Sequence, residues 1–455
     1  MARFEPHPYQ QYAIERIIHD PHVGLFLDMG LGKTVITLTA IEALIYDWLA
    51  VRRVLVIAPK KVAEATWQAE AKKWDHLKRL RITTALGTAQ QRTAAITTQA
   101  DITVINRENV PWLVENWAVC WPFDMIVADE SSSFKNPSAA RFKALKRVLP
   151  LMSRVVILTG TPAPNGIMDL WAQIYLLDRG ERLGRYISHY RERFFDFNPW
   201  RHEYTPKPGA FEAVQAKIEN LCVSMSAADY LTLPELVTHD MPVELNPTAR
   251  KLYQQLEREM VLELGDDNIT AMSAATLTGK LLQLCGGCVY DGSGEPHRIH
   301  TAKLEALGEL VEALGGEHAI LYYGYRHELP GLFEALRGLR ARELKSAEDA
   351  DAWNRGEVDV LIAHPVSCAY GLNLQAGGHH VIWYTLPWAL ELYQQANARL
   401  HRQGQEKPVI VHRLLVRGCV DEDVARALEG KTETQEALLT ALKARVEKVR
   451  AEHGA

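Results

Sequence analysis

Three short segments carry residue types whose spacing could do chemistry. In "FLDMGLGKT", Phe26 to Thr34, a strand runs through a glycine-containing turn into a helix. Gly30 and Gly32 let the backbone fold tightly and aim N–H groups at phosphate oxygens, and the helix start adds a positive dipole end. Lys33 is then placed to reach the outer phosphates and Thr34 to hold a divalent metal. The generic phosphate loop carries a glycine six residues before its lysine; that position is Leu27 here. Further on, "DMIVADESSS" is an apolar strand ending in Asp129 and Glu130. Adjacent acids at a strand end are commonly just solvated. Beside a phosphate loop they acquire roles: Asp129 in the metal shell, Glu130 orienting and deprotonating a water. In "YQQANARLHRQGQ", Tyr393 to Gln405, the residues Gln395, Arg399 and Arg402 recur at helical spacing and would share one helix face. Two arginines there could clamp a terminal phosphate, although the segment alone favours a basic face in water.

The elements that must position these residues follow from pattern. Short β-branched runs alternate with amphipathic ones from His22 to Asp178, the signature of a parallel sheet under helices. Strands are expected at Val23, Arg53, Asp101, Asp124 and Arg154, with helices over Val62 to Trp74 and Asn165 to Leu177. The alternation resumes from Thr301, with strands at Ala319, Val358, His380 and Val409. The expected fold is α/β, two parallel-sheet lobes, with lobe 1 at 1–178 and lobe 2 at 301–430. A mainly helical insertion and linker occupies 179–300, with helices over Thr248 to Leu264 and Ile269 to Leu284. Residues 431–455 form a C-terminal helix, apolar at Leu438, Leu442, Val446 and Val449.

The chain has 455 residues, 47% apolar and 24% charged, with net charge −5. That balance suits a globular protein of two or three units and argues against a bulk electrostatic nucleic-acid binder, so any such site is a local groove. Apolar runs fall short of the roughly 20 residues a membrane span needs, and the amino terminus lacks a signal-peptide core. Six dispersed cysteines fit a reducing cytosol. A cytoplasmic protein of a bacterium or phage-infected host cell, without a membrane partner and monomeric, is expected.

Taken in order, the motifs resemble those of the Swi/Snf type of ATP-dependent DNA translocase, in the second helicase superfamily, especially its compact bacterial and phage members. The resemblance runs from about Pro8 to about Leu428. "HPYQ" resembles the adenine-sensing motif, which assigns Gln10 to the base; "DMGLGKT" resembles motif I and "VIAPKKVAEATWQAEAKKW" motif Ia. "DESSSFKNPSAARFKAL" is similar to motif II, and "LTGTPAPN" to motif III, whose Thr159, Gly160 and Thr161 would couple hydrolysis to lobe movement. In the second half, "AILYYGYRHEL", "SCAYGLNLQ" and "QANARLHRQGQ" resemble motifs IV, V and VI. The family's lobes are RecA-like. By the resemblance Arg399 and Arg402 are arginine fingers, Gln395 contacts nucleotide, and Gly371 and Asn373 join the coupling set.

What the resemblance implies is an ATPase using ATP and Mg2+ between two lobes and moving along double-stranded DNA without stably separating its strands. The DNA-contact candidates are Lys60, Lys61, Thr66, Asn106 and Arg107 in the first lobe, and Arg326 and Ser367 in the second. A strand-separating DNA or RNA helicase shares this chemistry; an ATP-switched clamp recruiting a protein partner, such as a nuclease or replication factor, is the reading from another class. Two departures stand out. Ser131 and Ser132 replace the Ala-His that usually follows the acids, and Asn397 stands where many relatives carry another arginine. "CGGC" at Cys285 to Cys288, with His297 and His300, offers four zinc ligands, but the family has a glycine turn here. The run Tyr186 to Tyr204 could stack on bases or form a hydrophobic cluster. Cys120, Cys222, Cys368 and Cys419 read as buried small apolar residues.

Overall fold

A computed structural model describes residues 3–28, 30–163, 166–199, 203–225, 234–263, 271–290, 294–368, 373–402 and 404–429. They fall into two compact units, Met1–Thr232 and Leu233–Ala455.

In the first unit, seven strands form a sheet: β1 (His22–Leu27), β2 (Val54–Ala58), β3 (Ile82–Ala85), β4 (Ile102–Asn106), β5 (Met125–Asp129), β6 (Arg154–Thr159) and β9 (Cys222–Met225). The order is β3-β4-β2-β5-β6-β1-β9, and every pairing is parallel. β2, β4 and β5 are buried along their whole length, which is why they read as continuous apolar runs. Parallel pairing needs a crossover between successive strands, so all carboxyl ends meet at one edge. A short hairpin, β7 (Phe195–Asn198) with β8 (Glu203–Pro206), stands apart from the sheet.

The second unit holds a six-stranded parallel sheet built from β10 (Leu236–Val243), β13 (Ala319–Tyr322), β14 (Ala341–Glu343), β15 (Val360–Ala363), β16 (His380–Trp383) and β17 (Val409–Val416). Its order is β10-β17-β16-β13-β15-β14. The hairpin of β11 (Cys288–Tyr290) and β12 (Pro296–Arg298) completes the set.

All nine strands expected from sequence are present; β3, β9, β10 and β14 are additional in the two sheets, and the hairpin strands β7, β8, β11 and β12 are additional outside them. The separate 179–300 segment is corrected. Its β9 closes the edge of the first sheet beside β1, its β10 pairs with β17 over eight residues, and the dividing point is Thr232/Leu233. The helices Pro247–Glu263 and Ala271–Cys285 belong to the second unit. Edge strands are hard to read because they lack a two-sided apolar environment: β10, "LVTHDMPV", is exposed over most of its length and contains Pro242. The β9 edge also explains Gly24, since a Cβ there would lie 2.8 Å from Cys222 Sγ.

The expected Val62 to Trp74 helix is a wide π turn, Val62–Thr66, continued by an α-helix, Trp67–Lys73. The helix after β6 runs Leu170–Asp178. In the aromatic run, Tyr190, Phe194 and Phe195 join the first unit's core, while Tyr186 and Phe197 are exposed. Cys120 is exposed rather than buried, whereas Cys222 and Cys419 are buried. The expected 431–455 helix and the Cys368 side chain lie outside the described residues. No helix among the described residues is long and apolar enough to cross a membrane.

Candidate functional site

The site in the first unit forms at the carboxyl edge of β1, β5 and β6. After β1 the chain turns through Gly30 and Gly32, with φ of 88° and 81°, left-handed values that a side chain would strain. Gly32 caps the helix Lys33–Tyr46, so the first N–H groups of that helix open onto the turn. Lys33 Nζ donates to the carbonyls of Leu27 and Asp28 at 2.6 and 3.3 Å. Thr34 is the next residue of the same first turn.

Gln10, from the helix Pro8–His19, reaches this turn. Its Oε1 accepts from His7 N at 3.0 Å and its Nε2 donates to Leu31 O at 3.3 Å. A Cβ on Gly32 would stand 2.8 Å from Gln10 Nε2. Glycine at 32 is therefore required twice, by its backbone angle and by the amide packed over it.

Asp129 is the last residue of β5 and is buried. Its Oδ2 accepts from Trp67 Nε1 at 3.1 Å and its Oδ1 from Glu130 N at 3.1 Å. Burial holds the carboxyl above the usual aspartate range; Trp67, the charge of Lys33 and the Glu130 N–H oppose that shift. A divalent cation would act in the same sense as Lys33. Glu130 adopts φ 51°, an angle non-glycine residues adopt at a cost. The paired positive-φ glycines, the open helix start and the acceptor-only carboxylate fit a metal-bound triphosphate.

Trp67 is the residue the sequence reading missed. The signal was present: a buried indole needs an acceptor for its N–H, and this one lies inside the motif Ia stretch. Gln173 was also missed. Its Oε1 accepts from Ser131 Oγ at 2.8 Å, and its Nε2 donates to Pro162 O at 2.5 Å and Asp169 O at 3.0 Å. Ser131, one of the two departures after the acids, is thus tied through a fully buried glutamine to the segment after Thr159, Gly160 and Thr161. Thr159 Oγ1 accepts from Thr161 N at 3.1 Å.

Among the first-unit DNA candidates, Lys60 and Lys61 are exposed and Thr66 is half-buried. Lys60 stands 3.9 Å from Glu64. Asn106 differs from expectation: it is buried, its Nδ2 donates to Glu108 Oε2 at 2.8 Å, and its Oδ1 accepts from Asn109. Its amide is committed inside the unit. Arg107 Nε donates to Glu108 Oε1 at 2.9 Å.

In the second unit, the helix expected to present Gln395, Arg399 and Arg402 on one face is Leu390–Asn397, so only Gln395 lies within it. Past Ala396 the backbone tightens, Arg399 N donating to Ala396 O and Leu400 N to Asn397 O at 3.1 Å each. Tyr322 Oη also donates to Ala396 O at 3.0 Å, and Trp383 Nε1 donates to the Asn397 side-chain Oδ1 at 3.0 Å. Gln395 Nε2 donates to Glu391 Oε1 at 3.1 Å, and Arg399 Nε to Gln395 O at 3.3 Å. Arg399 and Arg402 are half-buried. Asn397, buried, is an internal fastener to Trp383. Arg326 is exposed and Ser367 half-buried; Asn373 O accepts from Asn354 Nδ2 at 2.7 Å. Gly371 lies outside the described residues. Of the four suggested zinc ligands, His300 has both ring nitrogens engaged: Nε2 meets Leu284 O at 2.7 Å and Nδ1 accepts from Ala302 N at 3.3 Å.

Residues 10–288 match the SNF2-related domain. The chain belongs to the SNF2-related family. It is 35% identical to protein p41 of Acyrthosiphon pisum secondary endosymbiont phage 1, over 97% of this chain and all of that one. It is 24% identical to an uncharacterized ATP-dependent helicase, MG018, of Mycoplasma genitalium, over 93% of this chain but 41% of that protein. The chain thus spans less than half the length of this helicase relative. Among solved structures, the Hef helicase domain of Pyrococcus furiosus matches 93% of this chain and 98% of that one, with 17% identity and a TM-score of 0.54. The two sheets are the RecA-like lobes of this SNF2-related chain.

Proposed function

We propose that this SNF2-related chain hydrolyses ATP with Mg2+ and uses the reaction to move along double-stranded DNA. The observation that carries the reading is the assembly of Gln10, Gly32, Lys33 and Asp129 around one strand edge, with Gln10 bonded to the phosphate-loop backbone and the charge of Lys33 acting on Asp129. Gln10 recognises the base, and the loop N–H groups and Lys33 bind the phosphates. Thr34 and Asp129 are the side chains that would hold magnesium, which when bound neutralises charge on the phosphate oxygens. Glu130 takes the proton of the attacking water on its carboxylate as the water oxygen bonds to the γ-phosphorus and the bond to the bridging oxygen breaks. Arg399 and Arg402 are assigned the charge that spreads in the transition state.

Lys60, Lys61, Arg107 and Arg326 are the proposed phosphate contacts to DNA. Asn106, buried and bonded to Glu108 and Asn109, is the least exposed of the first-unit candidates. The test is ATP turnover with no nucleic acid, duplex DNA, single-stranded DNA and RNA. Duplex should stimulate most, with stimulation falling steeply with salt. Stimulation by single strands or RNA above duplex would favour the strand-separating helicase. Displacement of a triplex-forming strand from duplex separates a motor from a stationary clamp.

A further inference from the structure

A second cluster gathers at the amino-terminal edge of the second unit's sheet. The second unit's strands β13, β16 and β17 start together, and the residues just before or at those starts include Glu317, His379, His380 and Lys407. The ligand atoms of Glu317, His379 and His380 lie within 4.8 Å of one another. His379 Nδ1 stands 3.7 Å from Glu317 Oε2. Two ligands each about 2.1 Å from a tetrahedral ion lie about 3.4 Å apart, so this pair needs only a small adjustment to share one.

We propose that Glu317, His379 and His380 form a binding site for a divalent transition ion of the zinc type, with water completing its coordination. Two imidazoles and one carboxylate are the donor set such ions favour over the all-oxygen sets of magnesium or calcium. The sheet register places the three together: Ala319 pairs with His380, bringing the residues ahead of β13 alongside the start of β16. His380 is supported from behind, its Nδ1 3.1 Å from His412 Nε2 with the rings stacked at 5.3 Å. This is the outer contact that fixes the orientation of a metal-ligating histidine.

Access is provided. A cavity of about 460 Å³ is lined by Glu317, His318, Gln375, Gly377, His379 and Lys407 among others. Lys407 Nζ pairs with Glu317 Oε2 at 3.4 Å; its side chain is largely exposed and can swing into water when an ion takes the carboxylate. Gln405 Nε2 donates to Gln375 O and Gly378 O at 3.2 and 3.1 Å, so the segments ending motifs V and VI meet at this cavity. An ion here would fasten both from below.

The test uses the full chain, stripped with chelator and titrated with Zn2+ against a chromophoric competitor, and with Co2+ followed by its visible absorption. The parent should bind one ion, with Co2+ giving the intense bands of a low-coordinate N/O site, and Zn2+ should raise its melting temperature. Glu317→Gln, at an exposed position that leaves folding intact, and His379→Ala should each weaken binding by about tenfold or more and abolish the melting shift. Cys288→Ser should leave both unchanged. Lys407→Ala should bind at least as tightly as the parent. Absence of binding by the parent, binding undiminished in Glu317→Gln and His379→Ala, or binding lost in Cys288→Ser would overturn the assignment. None of these readouts depends on ATP turnover, so the proposed function stands or falls separately.

Discussion

The indole Nε1 of Trp67 donates to Oδ2 of Asp129 across 3.1 Å, and both residues are buried. The π turn Val62–Thr66 delivers this indole to the end of β5. Trp67 fixes the orientation of the carboxylate proposed for the metal shell without touching the metal. Trp67→Phe keeps the ring and removes the donor. It should raise the Mg2+ concentration for half-maximal turnover by about 10- to 100-fold, with a much smaller change in the maximal rate. Turnover measured across a magnesium series, beside circular dichroism to confirm folding, checks this.

Lys33 and Glu130 should fail by different routes. Lys33→Ala removes a phosphate-binding charge, so nucleotide affinity and turnover both fall. Glu130→Gln retains the charge of Lys33 and the Asp129 carboxylate but has no base, so it should bind ATP while losing about 10²- to 10⁴-fold in rate. A fluorescent-nucleotide titration and single-turnover hydrolysis on the same preparations distinguish them. Hydrolysis retained by both variants would remove the site.

Ser131 and Gln173 connect the acids to the Thr159–Thr161 segment through one buried amide. Ser131→Ala leaves Gln173 Oε1 short of a donor inside the unit, which costs on the order of 1 to 3 kcal/mol of stability. If the link transmits DNA binding to hydrolysis, the variant keeps its basal rate and loses most of the duplex stimulation. The ratio of stimulated to basal turnover is the measurement. An unchanged ratio assigns the bond to packing alone.

Arg399 and Arg402 lie past the end of the Leu390–Asn397 helix, and their proposed role is confined to the transition state. Arg402→Ala should bind ATP like the parent and lose about 10³- to 10⁵-fold in stimulated turnover. Arg402→Lys should rescue poorly, because an ammonium lacks the bidentate fork. Stimulated turnover within a few-fold of the parent in both Arg399→Ala and Arg402→Ala would make them surface residues.

Glu328 gives the second unit a pH dependence. Its carboxyl is buried, accepts from Thr385 Oγ1 at 2.7 Å and from Gly324 N and Tyr325 N at 2.9 and 3.2 Å, and is pushed up to about 7 by burial despite those donors. A folded value above the unfolded 4.5 means its contribution to stability is full below pH 4.5, declines as pH rises, and is gone above about 7. The loss is on the order of 3 kcal/mol. Glu328→Gln should flatten the difference in stability between pH 5 and 7 relative to the parent, read by urea denaturation. A parallel pair of pH profiles would show that Glu328 is ionised throughout.

What the sequence alone determined is local. Gly30, Gly32, Lys33 and Thr34 are consecutive or nearly so, and their turn follows from a strand, two glycines and a helix start. Asp129 and Glu130 were legible because the apolar run Met125–Ala128 of β5 ends at them. The nine central strands were readable for the same reason. Tertiary structure decided whatever depends on partners distant in the chain. Trp67 meets Asp129, and Gln173 meets Ser131, only because parallel strands bring their carboxyl ends to one edge. The arginine helix ends at Asn397, where the backbone tightens and Tyr322 and Trp383, from other strands, bond Ala396 O and the Asn397 side chain, contacts no periodicity encodes. β9 and β10 became strands by pairing with β1 and β17, their own residues being too polar or too few to announce it. Glu317, His379 and His380 come together through the register of β13 against β16. Short-range preferences come from covalent neighbours, whereas a buried hydrogen bond or a ligand set belongs to whichever side chains the sheet places within reach.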